Sequence, residues 1–274
     1  MSYVENLFNV KDKVVVLTGG GGVLAGAVAE SMALAGSQVI LLDIREENAV
    51  QAAKRIQEKG GRAAGMACNV LNFEEIEKVR DSIVSKFGRV DVLVNFAGGN
   101  MPGATISPDQ TIFDLKMEDF KKVTDLNLNG TVMPCVVFGK NMADNKKGSI
   151  INIASMAALR SITRVVGYSA AKAAVANFTM WMGMEMAKKF GDGIRVNALA
   201  PGFFIGDQNR ALLTNPDGSL TERGKSVIKQ TPMDRFGEPD DLCGTVIYLS
   251  SDASKFVTGI VIPVDGGFST FSGV

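Results

Sequence analysis

The sequence predicts an α/β protein of Rossmann type, a doubly wound, mostly parallel sheet of seven strands with helices on both faces. Short β-branched runs alternate in a regular order with longer helical runs. The strand-like runs lack polar interruption, as strands covered on both faces do. The first of them opens directly onto four glycines followed by a helical run, where an open α/β sheet holds a ligand.

Lys13-Val-Val-Val-Leu-Thr18 reads as the first strand. Gly19 to Gly22 follow, then a helical run Val23 to Ala35 closed by Gly36. Gly20, Gly22 and Ala25 fit G-x-G-x-x-G/A between a strand and a helix, a loop whose bare backbone lets a pyrophosphate rest on unpaired N–H groups at a helix N-terminus. Ser37 to Asp43 is a second strand ending in a carboxylate 23 residues after Gly20. A carboxylate there is placed to accept hydrogen bonds from ribose hydroxyls and to repel a 2′-phosphate, which favours NAD over NADP. Arg45, two residues on, has a guanidinium that suits a phosphate and pulls the other way.

The alternation continues through a helix at Glu46–Lys59, a strand at Arg62–Cys68, a helix at Phe73–Phe87 and a strand at Val90–Asn95. A long helix is expected over about Met117–Asn145. Asn127 falls inside it, where its amide competes with backbone bonds, and Gly130 suggests a local irregularity; an exposed asparagine is the plain alternative. Ser149 to Ala154 is a fifth strand, the Ala-rich run from Tyr168 to Phe190 a helix, Gly193 to Ala200 a sixth strand and Gly259 to Asp265 a seventh. Pro263 suits an edge position in that last strand. Between the last two strands, Phe203 to Met233 has few regular signals and contains the turn sequence Asn215-Pro-Asp-Gly218, so it reads as a binding loop or lid.

No Pro/Gly/Ser-rich linker or charge block divides the 274 residues, which points to one domain over 1–274. Lys plus Arg and Asp plus Glu stand at 29 each and are scattered, giving no nucleic-acid or membrane-surface footprint. The first dozen residues have no apolar core, and no later run approaches the length of a membrane span. Cys68, Cys135 and Cys243 are far apart with no metal spacing, as expected of reduced core residues in a cytoplasmic protein. The count of zero histidines removes Ser-His-Asp and Cys-His catalysis and most catalytic zinc sites. Acid/base chemistry near neutral pH then needs a perturbed Tyr, Lys, Asp, Glu or Cys.

Tyr168 and Lys172 meet that need. Four apart on a helix, they share one face, and a fixed ammonium one turn away is expected to bring the phenol pKa down towards the working range. Ser155, after the fifth strand, is placed to bond the same substrate oxygen. The bland alternative is a snorkelling lysine beside a half-buried tyrosine.

The Thr18-Gly19 glycine loop, Asp43, Asn95-Phe-Ala-Gly98, Asn127, Ser155, Tyr168-Ser-Ala-Ala-Lys172, Pro201-Gly202 and Val257-Thr-Gly-Ile-Val-Ile-Pro-Val-Asp-Gly-Gly267 together resemble the short-chain dehydrogenase/reductase family along essentially the whole chain. That resemblance implies a catalytic set of Asn127, Ser155, Tyr168 and Lys172. In it Tyr168 is the general acid/base, Ser155 positions the substrate oxygen, Lys172 lowers the phenol pKa and binds the nicotinamide ribose, and Asn127 holds a water in a proton relay. It also implies a nicotinamide cofactor on Gly19, Gly20, Gly22, Val23, Leu24, Asp43, Ile44, Asn69, Val70, Asn95, Ala97, Gly98, Tyr168, Lys172, Pro201 and Gly202, no metal, and a homotetramer.

The chain departs from the family pattern in a glycine loop one residue tighter before Gly22, in Ala25 for its last glycine, and in Phe96, Asn69 and Gly206. The segments 97–105, 201–213 and 217–224 further resemble the branch of that family acting on D-mannonate and D-fructuronate. A small sugar acid with a carboxylate would then be the partner, with Arg160, Arg164 or Arg210 for the carboxylate and Asn100 and Gln208 for hydroxyls. A 5-keto-gluconate reductase, a polyol dehydrogenase and a catalytically silent dinucleotide-binding protein are the competing expectations.

Overall fold

The computed structural model describes residues 2–206 and 210–273. A short helix α1 (Tyr3–Leu7) precedes the repeating part of the chain: β1 (Val14–Thr18), α2 (Val23–Leu34), β2 (Gln38–Asp43), α3 (Glu46–Glu58), β3 (Arg62–Ala67), α4 (Phe73–Phe87) and β4 (Val92–Asn95). The second half follows with α5 (Met117–Thr124), α6 (Gly130–Asp144), β5 (Gly148–Ile153), α7 (Val166–Phe190), β6 (Ile194–Pro201), α8 (Arg210–Leu213), α9 (Glu222–Lys229), α10 (Cys243–Ser250) and β7 (Val261–Val264). The seven strands form one sheet in the order β3-β2-β1-β4-β5-β6-β7. All six pairings are parallel, so the sheet expected to be mostly parallel is wholly so.

The strands are apolar without alternation because both faces are covered. Val15 and Leu17 of β1 and Val39 and Leu41 of β2 pack on α2, α3 and α10 through Val28, Met32, Ile56 and Val246. Val14 and Val16, with Ile40 and Leu42, turn to the other face against Ile76 and Ile83 of α4, Phe138 and Met142 of α6 and Met182 and Met186 of α7. With successive side chains pointing to opposite faces, a fully apolar strand builds two cores at once. β7, with Pro263, lies at the sheet edge as its composition predicts.

Two expected segments differ. The long helix is broken at Asp125–Asn129, where a π-helical turn separates α5 from α6. Such a turn inserts an extra residue and re-aims a side chain, here the buried Asn127. The segment expected as a loop, 203–233, contains α8 and α9. The Thr221 hydroxyl caps α9 by accepting from Gly224 N at 3.0 Å. Among the described residues, no helix is long and apolar enough to cross a membrane.

α3 lies so close to β3 that a Cβ on Gly65 would stand 2.4 Å from the α3 backbone at Ala49 and Val50. Strand propensity alone favours alanine there, but the helix would have to move. Gly65→Ala is expected to destabilise the fold by about 1–3 kcal/mol, the usual cost of overpacking, read as a lower urea midpoint; a gain in stability would show that α3 yields freely.

Candidate active site

The strand C-terminal ends open onto a cleft of about 540 Å³. It is lined on one side by Gly19, Gly21, Gly22, Val23 and Leu24 and on the other by Ser155, Tyr168, Lys172, Pro201 and Gly202, with Phe96 to Gly99 between. Gly19 adopts φ 64°, and a Cβ there would meet the Ala97 backbone at 2.9 Å. The Thr18 hydroxyl accepts from Ala97 N at 3.1 Å and fixes the two loops together. Gly22 begins α2 with no side-chain cap, leaving the first N–H groups of the helix without that partner at the cleft wall.

Asp43, at the end of β2, accepts from Gly21 N and from Arg45 N, each at 3.0 Å, and still faces the cleft. Arg45 also lines the cleft, beside Asn48, whose amide, turned over, accepts from its Nε and Nη2 at 3.0 Å. A backbone cradle that a side chain would fill, an uncapped helix N-terminus and a carboxylate one strand over fit a dinucleotide: pyrophosphate on the amides, ribose hydroxyls on the carboxylate.

Lys172, one turn into α7 from Tyr168, is buried, and its Nζ donates to Ile153 O at 2.6 Å and stands 5.6 Å from the Tyr168 ring centroid. Burial lowers its pKa from 10.5 to about 8. Burial pushes the Tyr168 phenol up, while a hydrogen bond with Ser155 pulls the other way. The expected depression of the phenol is therefore corrected: loss of water around the ring outweighs the help it receives. Ser155 also accepts from Ala157 N at 3.1 Å.

Asn127 is fully buried and braces the loop opposite: Nδ2 donates to Gly99 O at 2.7 Å and to Val123 O at 2.8 Å, while Oδ1 accepts from Gly99 N at 3.1 Å. Both amide protons are used, so the side chain has only acceptor capacity left for a water. Gly98 is required where it stands, since a Cβ would lie 2.7 Å from Asn127 Oδ1 and 3.3 Å from Lys172 Nζ.

Ala97, Gly98, Pro201 and Gly202 line the cleft as expected. Asn95 does not. It is fully buried, and its Nδ2 donates to Asn152 Oδ1 at 2.9 Å and reaches Cys135 Sγ at 3.2 Å, so it ties β4 to β5 and α6 inside the core. Gly20 is turned from the cleft and lets the loop pass β2, where a Cβ would meet Leu41 at 2.7 Å. Val70 is buried, and Asn69 accepts from Leu71 N through its own side chain, so the pair closes the turn after β3. Ile44 is 70% exposed beside the cleft.

The residues expected to hold substrate are dispersed. Asn100 spends its amide on Thr105 Oγ1 at 2.7 Å, Arg160 donates to Phe271 O at 3.3 Å, and Arg210 is exposed at the start of α8. None of them lines the cleft. Gln208 lies outside the described residues. Arg223, within the segment 217–224, went unread; the Thr221 cap was the available sign that a helix starts there and fixes its direction.

The family model described as enoyl-(acyl carrier protein) reductase matches residues 22–269. The chain belongs to the short-chain dehydrogenase/reductase family. An uncharacterized oxidoreductase of Bacillus subtilis, UxuB, is 42% identical over 97% of this chain and 98% of its own length. A Haemophilus influenza protein, named a candidate D-mannonate oxidoreductase and crystallised with NAD bound, is 42% identical with a TM-score of 0.90 over 97% of this chain and 98% of its own. A gluconate 5-dehydrogenase from Burkholderia cenocepacia, in complex with NADP and tartrate, is 29% identical with a TM-score of 0.85 over 98% and 99%. The protein is thus an oxidoreductase with an NAD(P) site.

Lys172 gives up its proton near pH 8 when folded and near 10.5 when exposed. Between those values the unfolded chain binds more protons, so this group makes stability rise with pH across the window and costs on the order of 3 kcal/mol below it. Lys172→Met is expected to raise the melting temperature at pH 7 and to flatten its rise between pH 8 and 10 while abolishing turnover. Thermal denaturation across pH checks this, and an unchanged pH dependence would assign the rise to other groups.

Proposed function

We propose that this enzyme interconverts D-mannonate and D-fructuronate with NAD(H). The observation that carries the reading is the meeting of Ser155, Tyr168 and Lys172 with the glycine loop and Asp43 in one cleft. The likeness to the NAD-bound protein named for D-mannonate supports the substrate. A dinucleotide in this cleft supplies or accepts a hydride at the carbinol carbon. Tyr168, a phenol and so protonated at neutral pH, gives its proton to the carbonyl oxygen during reduction and takes it back during oxidation.

Ser155 donates to that oxygen as charge grows on it. Lys172, charged below about pH 8, holds the ribose and favours the phenolate once the proton has left. Asn127 keeps Gly98 and Gly99 in place for the nicotinamide, with its remaining acceptor position available to a relay water. Asp43 selects NAD because a 2′-phosphate would meet its carboxylate, while Arg45 is drawn to Asn48. The buried, free Cys68, Cys135 and Cys243 suit the cytoplasm. The exposed apolar side chains of α6 and α7, Val136, Met180, Trp181 and Met184, suit a homotetramer.

The test is NADH oxidation with D-fructuronate beside 5-keto-D-gluconate, each repeated with NADPH. Rapid turnover of fructuronate with NADH is expected; turnover of 5-keto-gluconate alone transfers the enzyme to the gluconate-type branch. Tyr168→Phe is expected to lower kcat by at least about 10³-fold with NADH affinity near wild type, a loss in the range that a general acid supplies. Asp43→Ala is expected to erode the ratio of NADH to NADPH efficiency by about tenfold or more, one charge contact's worth. An unchanged ratio removes Asp43 as the selector.

A further inference from the structure

The loops after β4, β5 and β6 meet beside the cleft, and two arginines stand at the junction. Arg164 belongs to the segment joining Ser155 to Tyr168, and its carbonyl accepts from Ile106 N of the β4 loop at 3.0 Å. Arg223, on α9 in the β6 loop, donates from Nη1 to Thr163 Oγ1 at 3.3 Å, which lays it beside Arg164. Both side chains are half-buried. The Arg164 charge and burial together lower the pKa of Arg223, with burial the larger cause. Two guanidiniums held near each other out of bulk water are unfavourable until an anion joins them.

No carboxylate among the described residues does so. Arg62, Arg80, Arg89 and Arg235 each find a carboxylate. Arg195 donates to Ser254 Oγ and to the carbonyls of Leu249 and Ser251. Arg164 also holds a left-handed backbone, φ 77°, which glycine or asparagine would adopt more easily. Two neighbouring arginines, one on the β5 loop and one on α9, at the ligand-binding edge of a parallel sheet, suit a forked carboxylate contact.

Resting on the sugar-acid reading above, we propose that Arg164 and Arg223 together hold the substrate's carboxylate, so that the far end of the sugar chain is anchored on the β5 and β6 loops while its carbonyl lies at Tyr168. D-Fructuronate and D-fructose form a matched pair for the test, since they differ only in a carboxylate against a hydroxymethyl group. Each of Arg164→Gln and Arg223→Gln is expected to raise KM for fructuronate by about 10–100-fold, the worth of a hydrogen bond to a charged group. kcat and NADH affinity should stay within about threefold of wild type, and the weaker turnover of fructose should be unchanged.

Arg223→Lys should recover only part of the loss, because the ammonium lacks the fork. Added guanidinium ion at millimolar concentration should partly restore Arg223→Ala, a rescue that a merely structural arginine would not show. Unchanged KM for fructuronate in both glutamine variants, or equal losses on fructuronate and fructose, overturns the proposal while leaving the sugar-acid reading intact. A wild-type enzyme that reduces neutral ketoses and no carboxylated one overturns the sugar-acid reading itself, and the arginine pair with it.

Discussion

Seven strands that all run the same way leave all their C-terminal ends on one edge of the sheet. The backbone groups there have no further strand to pair with, so the chain must turn at that edge, and the turns supply everything the cleft contains. The glycine loop follows β1, Asp43 ends β2, Phe96 to Gly99 follow β4, Ser155 follows β5 and Pro201-Gly202 close β6. Parallel pairing also demands a covering crossover after each strand, which keeps both faces dry and the edge as the natural place for polar chemistry. The two apolar cores therefore position the site as well as stabilise the fold.

Within that edge the catalytic residues crowd around Gly98. Asn127 Oδ1 and Lys172 Nζ both occupy space that a Cβ at Gly98 would take. The π-helical turn delivers Asn127 to this point from the middle of what is otherwise a continuous helical run. Lys172 is brought there by α7, with its charge buried and, among the described residues, only the Ile153 carbonyl as hydrogen-bond acceptor. Such a lysine is a liability for stability, and a phenol kept neutral beside it gains nothing until its proton leaves. The arrangement makes sense for a group whose useful state is the transient anion, which a buried ammonium stabilises far better than water-exposed charge does.

How much of this was legible follows from where each signal resides. Strands and most helices could be read because burial on two faces forces an unbroken apolar run and because Gly36 and Gly88 stop helices α2 and α4 in left-handed backbone. The catalytic cluster could be read because Ser155, Tyr168 and Lys172 lie within eighteen consecutive residues, close enough for local spacing to carry three-dimensional meaning. Asn95 shows what spacing leaves out: a polar residue at a strand's end invites a ligand role, whereas its Nδ2 is drawn inward to Asn152 and Cys135, which only the tertiary fold brings near. The phenol was misjudged for a similar reason. Spacing gives the position of the lysine, but it does not give the extent of burial, and burial decides the sign.

Arg223 shows the limit from the other side. It lies 59 residues from Arg164, inside a stretch whose turn sequence and weak periodicity conceal two short helices. No local pattern distinguishes it from a solvated arginine. What sets it apart is negative: a half-buried guanidinium that meets another guanidinium and no carboxylate among the described residues. On the loops beside the cleft the fold sets two positive charges side by side, to be matched by something that arrives. Binding energy gained at that distance from the reacting carbon holds substrate and transition state alike, so it sets the affinity for the carboxylated substrate and leaves the rate of the chemical step to Tyr168 and its neighbours.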